Sequence, residues 1–304
     1  MASEDWIAVD WGTSHMRLWH LRGSDVLAKV HSADGMGGLT RDGFEPALKK
    51  LIAELPQEPQ GDVLRVFACG MAGSRQGWAE APYATAPCTP PSAAEAVRAP
   101  VRDGKLLVHI LPGVKQTSPA DVMRGEETQV AGFLALNKDF DGIICLPGTH
   151  TKWVQVSAGE IVSFRTYLTG EMFALLSEQS VLRHSVNEDG WENDAFLAAV
   201  SHAMGRPAGV ASDLFALRAE SLLDNLDPAV ARSRLSGLLI GMELAAARPY
   251  WLGQNIAVLG ARGIANAYCG ALQAQGVPVT LADAERMTLE GLKAARASLQ
   301  EIVT

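Results

Sequence analysis

The chain writes one short phrase twice. Ile7-Ala8-Val9-Asp10-Trp11-Gly12-Thr13 stands near its start and Ile143-Ile144-Cys145-Leu146-Pro147-Gly148-Thr149 near its middle, each an apolar run ending in Gly-Thr. Both continue into a second strand-like stretch, Met16 to Leu21 and Lys152 to Val156, so each reads as strand, tight turn, strand. The repeat calls for two related halves. At such a turn Gly lets the backbone approach a phosphate, consecutive amides form an anion-binding concavity, and the Thr hydroxyl adds a donor. Two such turns can grip one triphosphate, although an ordinary hairpin explains either copy taken alone. The copies also differ: Asp10, before the first turn, is a carboxylate able to hold a hydrated metal ion, whereas the second has Leu146 there and carries His150 and Lys152 after its Gly-Thr.

The pattern around each copy extends the parallel. Residues 6–11, 15–21 and 25–31 read as a three-strand meander, followed by a helix in which Phe44, Leu48, Leu51, Ile52 and Leu55 recur at helical spacing before Pro56. Val63 to Ala68 is a buried-type strand entering the small-residue segment Gly70-Met71-Ala72-Gly73-Ser74, read as a strand-to-loop-to-helix position for phosphate or substrate. Residues 81–100, rich in Pro and Ala, are expected to loop over the surface, with a strand at 106–111 and a helix at 126–136 closing the first half. The second half restarts with strands at 143–147, 151–157 and 160–166 and a helix opened by Thr169-Gly170-Glu171. Residues 192–248 are helical in pattern. A strand at 256–259 then meets Gly260-Ala261, a helix runs to Gln275, and a strand at 277–281 precedes a last helix at 283–302. The domain reading is 1–138, with the helix 284–304 packing back on it, and 139–283 with a helical insertion at about 180–250.

Composition narrows the class. With 304 residues, 48% of them hydrophobic and 20% charged, the chain can bury two ordinary cores. A net charge of -8 without any basic stripe argues against nucleic acid as partner. No apolar run approaches membrane-spanning length, and the acidic Met1-Ala2-Ser3-Glu4-Asp5 leads straight into a strand, so no signal peptide or membrane association is expected and the cytoplasm is the expected compartment. Cys69, Cys88, Cys145 and Cys269 stand far apart and read as scattered thiols.

Transfer of a γ-phosphoryl group to an alcohol needs metal neutralisation of charge and a carboxylate that takes the alcohol proton. In Asp121-Val122-Met123-Arg124-Gly125-Glu126-Glu127-Thr128-Gln129, Glu126 and Glu127 are candidate carboxylates, and the resemblance given below implies Glu126 as the first choice for the base and Glu127 as the second, although acidic residues in a helix's first turn also complement its dipole. Arg75, Arg124 and Arg165 are candidates to hold an acidic substrate, with Ser74 beside Arg75. Lys152 either reaches a phosphate or lies on the outer edge of its strand. Neither a P-loop nor a Gly-x-Gly-x-x-Gly dinucleotide motif is present.

A twice-repeated meander of this kind resembles the actin, heat-shock chaperone and sugar-kinase superfamily. The resemblance implies an α/β fold of two ribonuclease H-like (actin-like ATPase) domains, each a three-strand antiparallel meander extended by parallel strands, with helices on both faces and an ATP cleft between the domains. It further implies that Asp10, Gly12, Thr13 and Ser14 form the first phosphate turn, that Gly148, Thr149 and His150 form the second, and that Gly260 and Ala261 approach the adenosine. Whole phrases, notably Met123 through Gln129, Pro147-Gly148-Thr149-His150, Gly70 through Trp78 and Ser236 through Gly241, are similar to the 2-dehydro-3-deoxygalactonokinase family. The interval from Val181 to Ala211 matches least, so nothing is carried over there.

That resemblance implies ATP and Mg²⁺, with Asp10 holding the metal through water, and phosphorylation of 2-dehydro-3-deoxy-D-galactonate at C6. It places Glu126 as base, with Arg75 or Arg124 on the substrate carboxylate. The partner is a small sugar acid, and assembly, homodimer included, stays open, as does the choice between C4 epimers. An exopolyphosphatase-like phosphohydrolase and a non-catalytic nucleotide-binding module of the same fold are the alternatives. The Gly-Ala-Gly-Asp phrase of ribokinase-like enzymes is absent.

Overall fold

A computed structural model describes residues 4–186 and 189–302, so Met1, Ala2 and Ser3 of the acidic start lie outside the described residues. The meander is β1 (Asp5–Trp11), β2 (Met16–Arg22) and β3 (Asp25–Ser32), antiparallel throughout, with Asp10 opposite Arg17. Helix α1 (Phe44–Ala53) leads to β4 (Leu64–Gly70), which lies parallel to β1. Then come β5 (Tyr83–Thr85), β6 (Val97–Arg98), β7 (Leu106–Ile110), the antiparallel pair β8 (Gly113–Thr117) and β9 (Ala120–Met123), and helix α2 (Glu126–Leu136). The main sheet has the order β3-β2-β1-β4-β7-β6, and β5-β8-β9 forms a small separate sheet.

The second restart gives β10 (Gly142–Leu146), β11 (Thr151–Ser157), β12 (Glu160–Tyr167) and α3 (Thr169–Glu178). Helices α4 (Asn193–Gly205), α5 (Val210–Leu223), α6 (Pro228–Ala246) and α7 (Arg248–Trp251) follow. Helix α6 starts where it does because Asp227 accepts from the amides of Ala229 and Val230 and Pro228 occupies the first turn. The chain then runs through β13 (Ile256–Gly260), α8 (Arg262–Ala274), β14 (Val279–Asp283) and α9 (Ala284–Ile302). This sheet has the order β12-β11-β10-β13-β14. Strand β10 is antiparallel to β11 and parallel to β13, and β13 is parallel to β14. The duplication in the sequence is therefore a duplication of sheet order.

The described residues fall into two compact units: 4–140, 157–163 and 284–302 form unit 1, while 141–156, 164–186 and 189–283 form unit 2. The excursion at 157–163, which the sequence assigns to the second half, counts with unit 1, where Cys88 and Ile161 form a β-bridge.

From Trp6 to Val9 strand β1 reads as an apolar run because both of its faces are covered. Ile7, Val9 and Trp11 pack with Phe44, Leu48 and Leu51 of α1. Trp6 and Ala8 pack on the other face with Phe67, Leu111 and, from α9, Leu292 and Ala295. Asp10 continues the α9-facing set by the two-residue period of a strand. Helix α9 also crosses α2 at a pair of glycines. A Cβ at Gly132 would lie 1.9 Å from the Met287 carbonyl oxygen, and one at Gly291 would lie 1.9 Å from that of Thr128. No other residue type permits this separation of the two helices.

Two expectations are corrected, and one strand pair is added. Gly70-Met71-Ala72-Gly73-Ser74 does not lead into an α-helix: Met71–Gly73 is a single 3₁₀ turn, and residues 74–78 lack the apolar periodicity to extend it. Residues 81–100 are not a plain surface loop, since Ala81 and Ala93 are buried and β5 and β6 pair with β8 and β7. The β8–β9 pair was not anticipated, because Gly113–Thr117 and Ala120–Met123 are too short and polar to stand out. Among the described residues no helix is long and apolar enough to cross a membrane.

Candidate active site

Unit 1 holds the first Gly-Thr turn at the end of β1. The Gly12 amide donates to the His15 carbonyl at 2.9 Å, and Thr13 and Ser14 are exposed. A strap from residues 34–38 backs this turn: the amides of Met36 and Gly37 donate to the carbonyls of Gly12 and Thr13 at 3.0 and 2.9 Å, and Trp11 Nε1 donates to the Asp34 carbonyl at 3.0 Å. Gly35 sits so close that a Cβ there would lie 2.3 Å from the Ser14 carbonyl carbon.

Asp10 follows from the hairpin register. Its Oδ2 accepts from Arg17 Nη2 at 2.6 Å, and Arg17 Nη1 is 3.8 Å from Glu285 at the start of α9. Burial pushes the Asp10 carboxyl up, the Arg17 guanidinium pulls it down, and the charges of Glu126 and Glu285 add to the rise.

Helix α2 opens with the two candidate bases, and their environments differ. Glu127 is 1% exposed, and both of its oxygens accept from the Gly125 amide, at 2.8 and 2.7 Å. Burial pushes its carboxyl up to about 8, with the Glu126 charge adding and the Gly125 N–H opposing. Glu126 is half-buried, and its Oε2 accepts from the Arg124 amide at 3.0 Å. Glu126 can thus meet a substrate, while Glu127 is spent on fixing the Gly125 turn.

Arg124, next in the chain, is held at one end only. Its Nη2 donates to the Ala81 carbonyl at 2.8 Å, and its guanidinium lies 4.3 Å from the Tyr83 ring centroid. Nε and Nη1 are buried without a hydrogen-bond partner, as is Ser74 Oγ. Gly73 abuts the same guanidinium, since a Cβ there would lie 2.8 Å from Nη1. Buried donors without an acceptor are costly, so Nε and Nη1 could take an anion or another strong acceptor. Arg75 is exposed, with its carbonyl accepting from Arg41 Nη2 at 2.9 Å, and Arg165 is exposed on β12.

In unit 2 the second turn leaves Gly148, Thr149 and His150 exposed, and His150 Nε2 is 2.5 Å from a Glu171 carboxylate oxygen. Lys152 is 4% exposed and stands opposite Leu146, so it does not occupy an exposed strand edge. A cavity of about 580 Å³ opens beside Gly148, with walls from Phe173 on α3, Asn193 on α4, Arg232 and Ser236 on α6, and Asn266 and Tyr268 on α8. That volume suits a nucleoside. The Arg232 guanidinium lies 5.0 Å from the Phe173 ring centroid, a flat wall of the kind on which a base can stack. From α8 the lining begins at Gly263, beyond Gly260 and Ala261; Gly260 is buried and Ala261 is exposed.

Sequence reasoning passed over Arg17, the 34–38 strap, Tyr83 and the cavity walls. Arg17 was findable, because a two-strand hairpin closed around Gly12-Thr13 sets it opposite Asp10 just as Lys152 is set opposite Leu146.

The parts found in the two units, two exposed Gly-Thr turns, a carboxylate at a helix start and a nucleoside-sized cavity, are those of a sugar kinase, a phosphotransferase. Residues 10–295 match the sequence profile of the family described as 2-keto-3-deoxy-galactonokinase, and the chain belongs to that family. A Rhizobium meliloti (strain 1021) protein assigned as a 2-dehydro-3-deoxygalactonokinase is 38% identical over 296 residues, 95% of each chain. The 2-dehydro-3-deoxygalactonokinase of Escherichia coli (strain K12) is 35% identical over 278 residues, covering 90% of this chain and 91% of that one. A crystal structure of a Sinorhizobium meliloti protein described as a 2-dehydro-3-deoxygalactonokinase superposes with a TM-score of 0.89 at 37% identity, over 97% of this chain and 99% of that one. The Acidaminococcus fermentans (R)-2-hydroxyglutaryl-CoA dehydratase component A shares the fold at a TM-score of 0.51 and 13% identity, over 98% of this chain and 100% of that one.

Proposed function

We propose that the chain transfers the γ-phosphoryl group of ATP to the C6 hydroxyl of 2-dehydro-3-deoxy-D-galactonate, giving 2-dehydro-3-deoxy-6-phospho-D-galactonate, as a cytoplasmic step of D-galactonate breakdown. The names of the relatives support the substrate. The observation that carries the reading is the buried pair of Arg124 donors, Nε and Nη1, without a hydrogen-bond partner among the described residues and suited to the carboxylate of a sugar acid. Arg75 is the second candidate for holding that carboxylate, and Arg165 the third.

Glu126 takes the proton of the C6 hydroxyl as its oxygen attacks the γ-phosphorus and ADP leaves, while Glu127 keeps the Gly125 turn in place. Gly12, Thr13 and Ser14 and, in unit 2, Gly148, Thr149, His150 and Lys152 serve the phosphates. Gly260 and Ala261 stay in the adenosine reading as the entry to α8, with the cavity walls taking the base.

The residues present fit Mg²⁺ in one respect that the structure itself displays: the half-buried Asp10 carboxylate already draws a cation, Arg17, to 2.6 Å. Asp10 would hold the ion through water, with phosphate oxygens of the nucleotide completing its shell. Bound there, Mg²⁺ would neutralise charge on the transferring phosphoryl group.

The test is an ADP-release assay with Mg·ATP and both C4 epimers, run on the wild type, Arg124→Lys and Arg124→Met. Losing a charge-assisted hydrogen bond costs about 1.5–3 kcal/mol, so KM for the sugar acid should rise roughly 10- to 100-fold in Arg124→Met with KM for ATP unchanged. An unchanged sugar-acid KM removes Arg124 from the site. Steady hydrolysis of ATP or polyphosphate without any sugar would make the protein a phosphohydrolase instead.

A further inference from the structure

We infer that Glu243 is the positioning residue of the second phosphate turn and acts through the hydroxyl of Thr169; this rests on the reading that residues 148–150 hold the nucleotide's phosphates. Glu243 lies inside α6 and is 2% exposed. One carboxylate oxygen accepts from Trp153 Nε1 at 2.7 Å, and the other accepts from the Tyr268 hydroxyl at 2.7 Å and from the Thr169 hydroxyl. The Tyr268 hydroxyl is also 3.0 Å from Thr151 Oγ1. Donors from β11, α3 and α8 therefore converge on one buried carboxylate that the phosphoryl transfer itself does not use. A buried carboxylate is tolerated only where such donors surround it. Burial pushes its carboxyl up, and the Thr169, Trp153 and Tyr268 donors oppose that rise.

Thr169 is the link to the site. It is the first residue of α3, whose preceding residue Leu168 offers no side-chain cap, so the hydroxyl bond to Glu243 is what ties this helix start to the core of unit 2. The next residue, Gly170, is the seat of the turn: a Cβ there would lie 2.2 Å from the Gly148 carbonyl oxygen and 2.9 Å from Thr149 Cα. The Glu171 amide donates to the Thr149 carbonyl at 2.9 Å, and the Glu171 carboxylate meets His150 at 2.5 Å. All three residues of the turn thus rest on the first turn of α3, and that turn rests on Glu243. Because Thr169 and Tyr268 both line the cavity, the same carboxylate also fixes a wall of the proposed nucleoside site.

The consequence falls on the nucleotide and not on the sugar acid. Thr169→Val keeps the shape and removes one hydroxyl; Glu243→Met removes the acceptor. KM for ATP should rise about three- to tenfold in each, the scale of one buried hydrogen bond, with KM for the sugar acid at saturating ATP within twofold of wild type. The double variant should be no worse than the worse single variant, and Thr169→Ser should restore the wild-type value. Additive losses would mean that Thr169 touches the nucleotide directly, and they overturn the inference. So does a variant of lowered thermal stability whose KM for ATP stays within twofold of wild type, since that is a purely structural role. If Glu243→Met does not fold, the Thr169→Val and Thr169→Ser pair decides the question. Failure of the underlying reading looks different: the wild type itself would then show no ATP-dependent phosphorylation of a sugar acid.

Discussion

Glu127 stores a pH dependence that can be separated from the rest of the molecule. Its carboxyl, at 4.5 in the open chain, is pushed up to about 8 in the fold, chiefly by burial. Between those values the folded chain holds a proton that the unfolded chain has released, so folding stability falls as pH rises, and the full penalty is in place above pH 8. One pKa unit corresponds to about 1.4 kcal/mol, so from pH 5 to pH 8 this group removes about 4 kcal/mol. Glu127→Gln keeps the shape and an oxygen for the Gly125 amide but cannot ionise. Any contact it loses is independent of pH. Urea unfolding of both proteins at half-unit steps from pH 5 to 8 should show the variant gaining on the wild type by about 1.4 kcal/mol per unit. The other carboxylates whose values are raised, half-buried Asp10 and buried Glu243, affect both proteins alike and cancel in the difference. Parallel stability curves would refute the reasoning, as would a ¹³C-observed Glu127 carboxyl that titrates in the ordinary carboxylate range.

Three further outcomes follow from the geometry. Glu126→Gln should lower kcat by about 10²- to 10⁴-fold while calorimetry finds nucleotide affinity unchanged; near-normal turnover would displace Glu126 as the base. Gly35→Ala has an acceptable backbone, with φ at -73°, so its whole effect comes from a Cβ 2.3 Å from Ser14. It should cost about 1–3 kcal/mol in urea unfolding and raise KM for ATP, and a silent substitution would show that the strap yields. Gly132→Ala must push α2 away from the Met287 carbonyl, and a cost of about 1–3 kcal/mol accompanied by a fall in kcat is expected, read by urea unfolding and steady-state kinetics.

The elements legible in the sequence are those with strong period and plain punctuation. The meander showed itself through short turns between β-rich runs, and the reading of α2 from Glu126 to Leu136 coincides with the helix found. Phosphate-turn candidates were visible because a glycine and a hydroxyl must stand next to each other in the chain to do that work. Arg17, Gly35 and Glu243 were not read, because each acts on a partner brought near by pairing or packing. Glu243 is 74 residues from Thr169 and 90 from Trp153, and a lone Glu in an Ala- and Leu-rich helix has no local signature. Short strands such as β5 and β6 escaped for a related reason. Their pairing comes from the partner strand and not from their own composition.

The glycine crossing of α2 and α9 joins parts of the chain made far apart in time. Roughly 160 residues separate Gly132 from Gly291, and all of unit 2 lies between them. At translation rates of about 5–20 residues per second, some 10–30 s pass between synthesis of the two. During that interval α2 lacks its contact with α9, and the face of Trp6, Ala8 and Phe67 that Leu292 and Ala295 cover lacks them. Helix α2, which opens with Glu126, therefore gains its glycine contact with α9 only when the last helix of the chain has been made.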